Sequence, residues 1–137
     1  MEVGRSTICR PAPQRVILLD TKAVIWLHRG HVRVRALQKA AARLYVSPVS
    51  LLEIQFLIEA GKVRLRAGAT VNDLVADDRW VFDDPPSAAW FSQAAEVSWT
   101  DPFDRLIVAH AGLRDWRLAT GDAVLAHKLG PQRCVEL

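Results

Sequence analysis

The sequence predicts an α/β fold built on a mainly parallel sheet, and three observations predict it. Short apolar runs alternate with segments of helical periodicity, VILLD being the clearest run and SLLEIQFLIEAG the clearest helix. Acidic residues stand where the runs hand over to helices, which suits the carboxyl edge of a parallel sheet. The chain has 137 residues, 50% hydrophobic and 24% charged, the size and balance of one globular domain with a real core.

Residues 1–14 are polar, carry Pro11, Pro13 and Arg10, and show no periodicity, so they read as a flexible extension ahead of a domain spanning 15–137. Val16–Asp20 is a continuous apolar run ending in an acid, as a central strand buried on both faces requires. Lys22–His28 reads as a short helix. Val34–Leu44 places apolar and small residues at helical spacing, with Arg33, Arg35, Lys39 and Arg43 on the wetter side. Tyr45–Pro48 is a short strand. Ser50–Ala60 is a helix, apolar on most sides, with Gly61 where a left-handed cap wants glycine.

Thr70 is an N-cap for VNDLVADD. Trp80–Phe82 is a strand, and Pro86–Ala95 is a helix entered by prolines. Asp101 and Pro102 open the next helix, which runs to about Leu113. Arg117–Thr120 is a strand, Ala123–Lys128 a helix, and Cys134–Glu136 a last edge strand. There is no internal repeat and no low-complexity tract.

Four acids carry the functional argument: Asp20, Glu53, Asp104 and Asp122. Each has a local structural use. Asp20 and Asp122 suit N-caps, and Ser50–Glu53 matches a capping box. Asp101, ahead of Pro102, is an N-cap, which leaves Asp104 to project from the first helical turn. All four structural uses place the acids at helix starts, hence at one edge of the sheet, so capping and catalysis are compatible. Four carboxylates in one cleft repel unless a hard divalent cation compensates them, and a Mg²⁺- or Mn²⁺-dependent phosphodiester hydrolase follows. Thr21 and Thr120 can orient neighbouring carboxylates or water.

The eighteen Lys and Arg residues give a net charge of +3, and setting the four acids aside leaves the remaining eleven outnumbered by seven. A basic body around an acidic notch suits a polyanionic substrate. No stretch is long and uncharged enough for a membrane span, and no secretory pattern is present, so a cytoplasmic protein is expected. Cys9 and Cys134 have no partner at metal-ligand spacing. His28, His31, His110 and His127 also lack metal spacing and read as surface residues, and the five tryptophans read as core and interface anchors. No GxGxxG, P-loop or GxSxG motif occurs.

The segments VILLDTKAVIWL, YVSPVSLLEIQFLIEAGKVRL, TDPFDRLIVAHA and RLATGDAVL resemble the successive motifs of PIN-domain ribonucleases, most of all the VapC toxins of bacterial toxin–antitoxin pairs. The resemblance runs from Val16 to the C-terminus. It implies a three-layer α/β/α sandwich, a metal-dependent endoribonuclease, and Mg²⁺ or Mn²⁺ held by Asp20, Glu53, Asp104 and Asp122, with Thr21 and Thr120 in support. It also implies an RNA substrate, a small VapB-like antitoxin that inserts a basic side chain into the site, and a homodimer that forms a heterotetramer or larger assembly with it. Exposed apolar surface around Leu51, Leu57 and Trp26 is the expected contact area. One departure is Lys22, where this subgroup usually has histidine. The competing expectations are a structure-specific DNA nuclease, for which 137 residues leave little room, and a catalytically dead module that only binds RNA or antitoxin.

Overall fold

The computed structural model describes residues 15–39 and 42–137; the extension expected over residues 1–14, Cys9 included, lies outside them. Five strands form a single sheet: β1 (Arg15–Leu19), β2 (Ala42–Val46), β3 (Val81–Phe82), β4 (Arg117–Thr120) and β5 (Cys134–Glu136). They are ordered β3-β2-β1-β4-β5, and every pairing is parallel. The sheet is therefore wholly parallel, where the sequence predicted a mainly parallel one.

Seven α-helices flank it: α1 (Thr21–Arg29), α2 (Arg35–Lys39), α3 (Pro48–Glu59), α4 (Val71–Val75), α5 (Ser87–Ala95), α6 (Pro102–Arg114) and α7 (Ala123–Leu129). A 3₁₀ turn at Val32–Val34 precedes α2. Side chains alternate across the pleat and divide the core into two layers. Ile17 and Leu19 of β1 and Ala119 of β4 face one layer with Ala23, Val24 and Leu27 of α1, Leu37 of α2, Ile54 of α3 and Leu74 of α4. Leu18 and Leu118 face the other with Ile107, Val108 and Ala111 of α6 and Leu125 of α7. Helix α5 packs outside α6 through Trp90, Ala94 and Ala109. This is the three-layer α/β/α sandwich.

The order reverses between β1 and β4, whose chains leave the sheet in different directions. That is the topological switch point, where the crevice outside the carboxyl ends opens. The Asp20 amide donates to the Ala119 carbonyl at 3.0 Å and fastens the two strand ends together there.

Three local expectations change. Val34–Leu44 is not one helix: α2 ends at Lys39, and Ala42–Leu44 already belong to β2, paired with Arg15–Ile17. The regular spacing spans two elements, because the buried Val34 and Leu37 are followed by the alternating side chains of a strand. Helix α3 begins a residue after Ser47, whose hydroxyl accepts from the Val49 amide, with Pro48 at the first position. Ser50 is thus inside the helix, and the expected Ser50–Glu53 capping box does not exist. Gly61 does follow α3 with φ +71°, as its cap role required.

The histidines also divide differently from expectation. His110 is fully buried between Trp90 and Trp116, and its Nε2 pairs with Asp83 Oδ2 at 2.8 Å. Arg114 Nε donates to the same oxygen at 2.8 Å. His28 is buried too, and its Nε2 accepts from the Arg66 amide at 2.9 Å. Burial lowers both imidazoles below the ordinary range, so each serves as a neutral hydrogen-bonding core residue. Cys134 is buried as well, and its thiol is pushed up to about 11, chiefly by burial. Among the described residues no helix is long and apolar enough to cross a membrane.

Leu18 sits on the central strand with no exposed surface. Leu18→Ala is expected to destabilise the fold by about 2–5 kcal/mol through the cavity it leaves. Urea denaturation read by tryptophan fluorescence checks this; an unchanged midpoint would contradict the central placement of β1.

Candidate active site

Each acid reaches the carboxyl edge by a different route. Asp20 follows β1 and is 9% exposed. Its Oδ1 accepts from the Ala23 amide at 2.7 Å and caps α1. Asp122 follows β4 across Gly121 and caps α7, accepting from the Val124 and Leu125 amides at 2.9 and 3.1 Å. Glu53 comes from the second turn of α3, the helix that leaves β2. Asp104 lies in the first turn of α6, which runs back toward the amino end of β4 and so begins at the carboxyl edge.

These four carboxylates, with Thr21 and Lys22, line one cleft of about 170 Å³. Asp101 caps α6 as predicted, its Oδ1 accepting from the Phe103 and Asp104 amides at 2.8 and 3.1 Å. It also does more than was expected of it. Glu53, Asp101 and Asp104 each bring one carboxylate oxygen within 4.8 Å of the others. Asp20 and Asp122 line the cleft outside this triad.

Neutral donors hold the crowded acids. The Thr21 hydroxyl donates to Glu53 Oε1 at 2.5 Å and pairs with the buried Ser50 hydroxyl at 3.1 Å. Thr21 and Ser50 thus tie α1 to α3 at the rim of the cleft. Trp99 donates its indole N–H to Asp104 Oδ2 at 3.1 Å. Trp99 is braced in turn by Arg105, whose Nε donates to the Trp99 carbonyl at 2.6 Å, and by the Lys128 ammonium 5.3 Å from its ring centroid. The Thr120 hydroxyl accepts from the Asp122 amide at 3.0 Å. Neither Trp99 nor Ser50 is expected from the sequence as a site residue; a polar residue one turn ahead of Glu53 on a largely apolar helix is the signal that Ser50 offers.

Burial and mutual repulsion set the electrostatics. Glu53 is pushed up to about 7, first by desolvation and then by Asp104, Asp101 and Asp20, against the Thr21 hydrogen bond. Asp104 is raised to about 6 by desolvation and by Asp101, with the Trp99 bond opposing. Asp20 is raised by burial, while Thr120, two backbone amides and Lys22 pull it down. Lys22 Nζ leans toward the Trp26 ring, 5.9 Å from its centroid, and no ion pair joins it to a cleft acid among the described residues.

The donor set is therefore all carboxylate oxygen, crowded and short of positive charge. Hard divalent cations fit such a set, and softer ions that prefer sulfur or imidazole do not. Gly121 completes the geometry. A Cβ there would lie 2.4 Å from Trp26 Cη2, so glycine alone lets the loop carrying Asp122 rest on the indole.

Comparison with known proteins places the fold in a family. The family model described as PIN domain matches residues 17–128. The chain belongs to the PIN-domain family. Its fold is similar to that of a chain in the structure of VapBC2 from Rickettsia felis bound to a promoter DNA fragment, with TM-score 0.62 and 16% identity over 89% of this chain and 98% of that one. A toxin–antitoxin complex from Klebsiella pneumoniae gives TM-score 0.63 and 16% identity over 88% and 99%. DNA-bound VapBC from Salmonella typhimurium gives 0.55 and 20% over 90% and 98%. A search of curated proteins found no significant match.

The raised carboxylates carry a sign. A folded-state value near 7 for Glu53 means that the native protein keeps a proton that the unfolded chain releases near 4.5. The stabilisation is full below 4.5 and is lost as pH rises through about 7, at up to about 1.4 kcal/mol per pH unit. In EDTA, the stability of the wild type relative to Glu53→Gln is expected to fall across that window. Urea midpoints of both proteins from pH 4 to 8 measure it, and parallel curves would remove the crowding argument.

Proposed function

We propose that this chain is a metal-dependent endoribonuclease acting as the VapC-type toxin of a toxin–antitoxin pair. The observation that carries the reading is the convergence of Asp20, Glu53, Asp104 and Asp122 on one cleft, two of them held well above the ordinary carboxylate range. Asp20, Glu53 and Asp104 are the principal groups for Mg²⁺ or Mn²⁺, with Asp122 completing the set and Asp101 close enough to share in it. The bound cation supplies Lewis-acid activation of water and charge neutralisation at the phosphodiester.

The chain's own residues supply position and exclusion. Thr21 holds Glu53 and Trp99 holds Asp104, so both carboxylates are oriented before substrate arrives. Second-layer donors of this kind tune cation affinity as strongly as many ligands do. Lys22, exposed at the mouth of the cleft, offers an ammonium to a phosphate oxygen where the subgroup usually has a histidine. No side chain is needed as nucleophile, and water attack leaves a 3′-hydroxyl and a 5′-phosphate.

The partner reading rests on relatives. The Rickettsia, Klebsiella and Salmonella structures are toxin–antitoxin complexes, and we extend that arrangement to this chain as a small antitoxin whose basic side chain enters the cleft. The apolar surface differs from the one expected. Leu51, Leu57 and Trp26 pack against the core, and on α3 the exposed large apolar residues are Leu52 and Phe56, with Phe56 in edge contact with Phe103. We assign this strip on α3 to the homodimer or to the antitoxin contact.

Purified protein is expected to cut a mixed RNA pool with Mg²⁺ or Mn²⁺ and to stop in EDTA. Asp104→Asn is expected to lose at least a hundredfold in rate, about 3 kcal/mol, with its melting temperature retained. Normal turnover by that variant sinks the assignment, and preference for single-stranded DNA in competition would replace RNA as the substrate. Trp99→Phe keeps an aromatic ring in the place but lacks the indole N–H that Asp104 accepts. It is expected to weaken Mn²⁺ binding by about tenfold in calorimetry; unchanged affinity would leave Trp99 as packing.

A further inference from the structure

A second concavity adjoins the acidic cleft and has the opposite character. It has a volume of about 560 Å³ and shares Thr21, Lys22 and Glu53 with the cleft, so the two meet at these residues. Beyond that junction its walls carry Arg29, Lys62 and Arg64, and among the described residues Glu53 at the shared end is its only acid. Arg29, His31, Lys62 and Arg64 are exposed. One wall is a stacked aromatic pair, the rings of Trp26 and His31 lying 5.2 Å apart and inclined by 22°. The other wall is the segment after α3, held against α1 by Arg29 Nη1, which donates to the Arg64 carbonyl at 2.5 Å.

We propose that this groove binds the nucleotide next to the scissile phosphate of a single-stranded RNA, with Lys62 and Arg64 on its phosphate and the Trp26–His31 wall against its base. The proposal rests on the nuclease reading for the cleft, but the groove's own chemistry is what selects the ligand. Cations gathered along a channel track a polyanionic backbone, and a flat aromatic wall offers a base a stacking surface that is indifferent to sequence. An acidic notch at one end and basic walls beyond it fit a strand whose reacting phosphate meets the cation site while its neighbour meets fixed positive charge. A folded duplex does not fit, because the base must leave its stack to reach the wall.

Lys62 and Arg64 are the residues to test. Both are exposed, and neither side chain makes a hydrogen bond among the described residues, so Lys62→Gln with Arg64→Gln leaves the fold and the cleft intact. Three measurements on the full chain separate the groove from the cleft. First, binding of a fluorescent single-stranded RNA 12-mer is followed in EDTA by anisotropy against salt. The double variant is expected to bind more weakly, with the slope of log affinity against log salt reduced by about 0.7, the loss of one single-strand phosphate contact. Second, KM for cleavage of the same RNA is expected to rise about tenfold with kcat nearly unchanged, since these contacts bind ground and transition states alike.

Third, hydrolysis of bis-p-nitrophenyl phosphate, a single phosphodiester that fills only the cleft, is expected to be the same in both proteins. If the wild type hydrolyses neither substrate but the salt slope still falls in the variant, the nuclease reading fails and the groove stands. An unchanged salt slope and RNA affinity overturn the groove proposal and leave the groove to a polypeptide partner. Equal loss on both substrates overturns it too, because the two residues would then be acting on the cleft.

Discussion

Glu53 and Asp104 share a half-buried cleft because each is fastened by a neutral donor, the hydroxyl of Thr21 and the indole N–H of Trp99. A lysine or arginine in either place would pair with the acid and consume the negative charge that makes the cleft useful. A methyl or phenyl group would leave the carboxylate free to swing into solvent, away from its neighbours. A neutral hydrogen bond orients without neutralising, so burial and the neighbouring acids keep both carboxyls raised in spite of it. The rest of the structure supplies the frame for these two bonds. Thr21 stands at the start of α1 because β1 ends at Leu19, and Trp99 reaches α6 because Asp101 and Pro102 turn the chain into the helix beneath it.

The parallel sheet makes that frame possible. With the order reversing between β1 and β4, two strand ends and two helix starts converge without any long loop. Asp20 and Asp122 arrive as caps, so the energy that places them comes from satisfying helix amides. For these two acids, local stability and site assembly are the same set of hydrogen bonds.

Much of this was legible in the chain. An apolar run ending in an acid, VILLD, marks a buried strand and its edge at once, and RLATGD repeats the pattern. Asp101-Pro102 announces a helix start with little ambiguity. The misreadings have physical causes. Ser50 and Glu53 have capping-box spacing, but Pro48 is the first residue of the helix, which moves Glu53 to the second turn and hands its carboxylate to Thr21. Val34–Leu44 blends a short helix and a strand joined within a few residues, and a single period cannot describe both. The pairing of Trp99 with Asp104, and of His110 with Asp83, depends on how a turn or a packed helix closes, which spacing does not encode. His110 resembled a surface histidine only because its partner lies 27 residues away.

Gly121 and Trp26 form a complementary pair, the smallest and the largest side chains near the site in direct contact. Their contact gives the loop bearing Asp122 and the aromatic wall of the groove a common bearing surface. A smaller residue at 26 removes the support beneath that loop, and a larger one at 121 displaces the indole. The two walls of the groove therefore have unequal freedom to evolve. The Trp26 side is locked to the loop bearing Asp122, while the exposed Lys62–Arg64 side is free to change without disturbing the carboxylates.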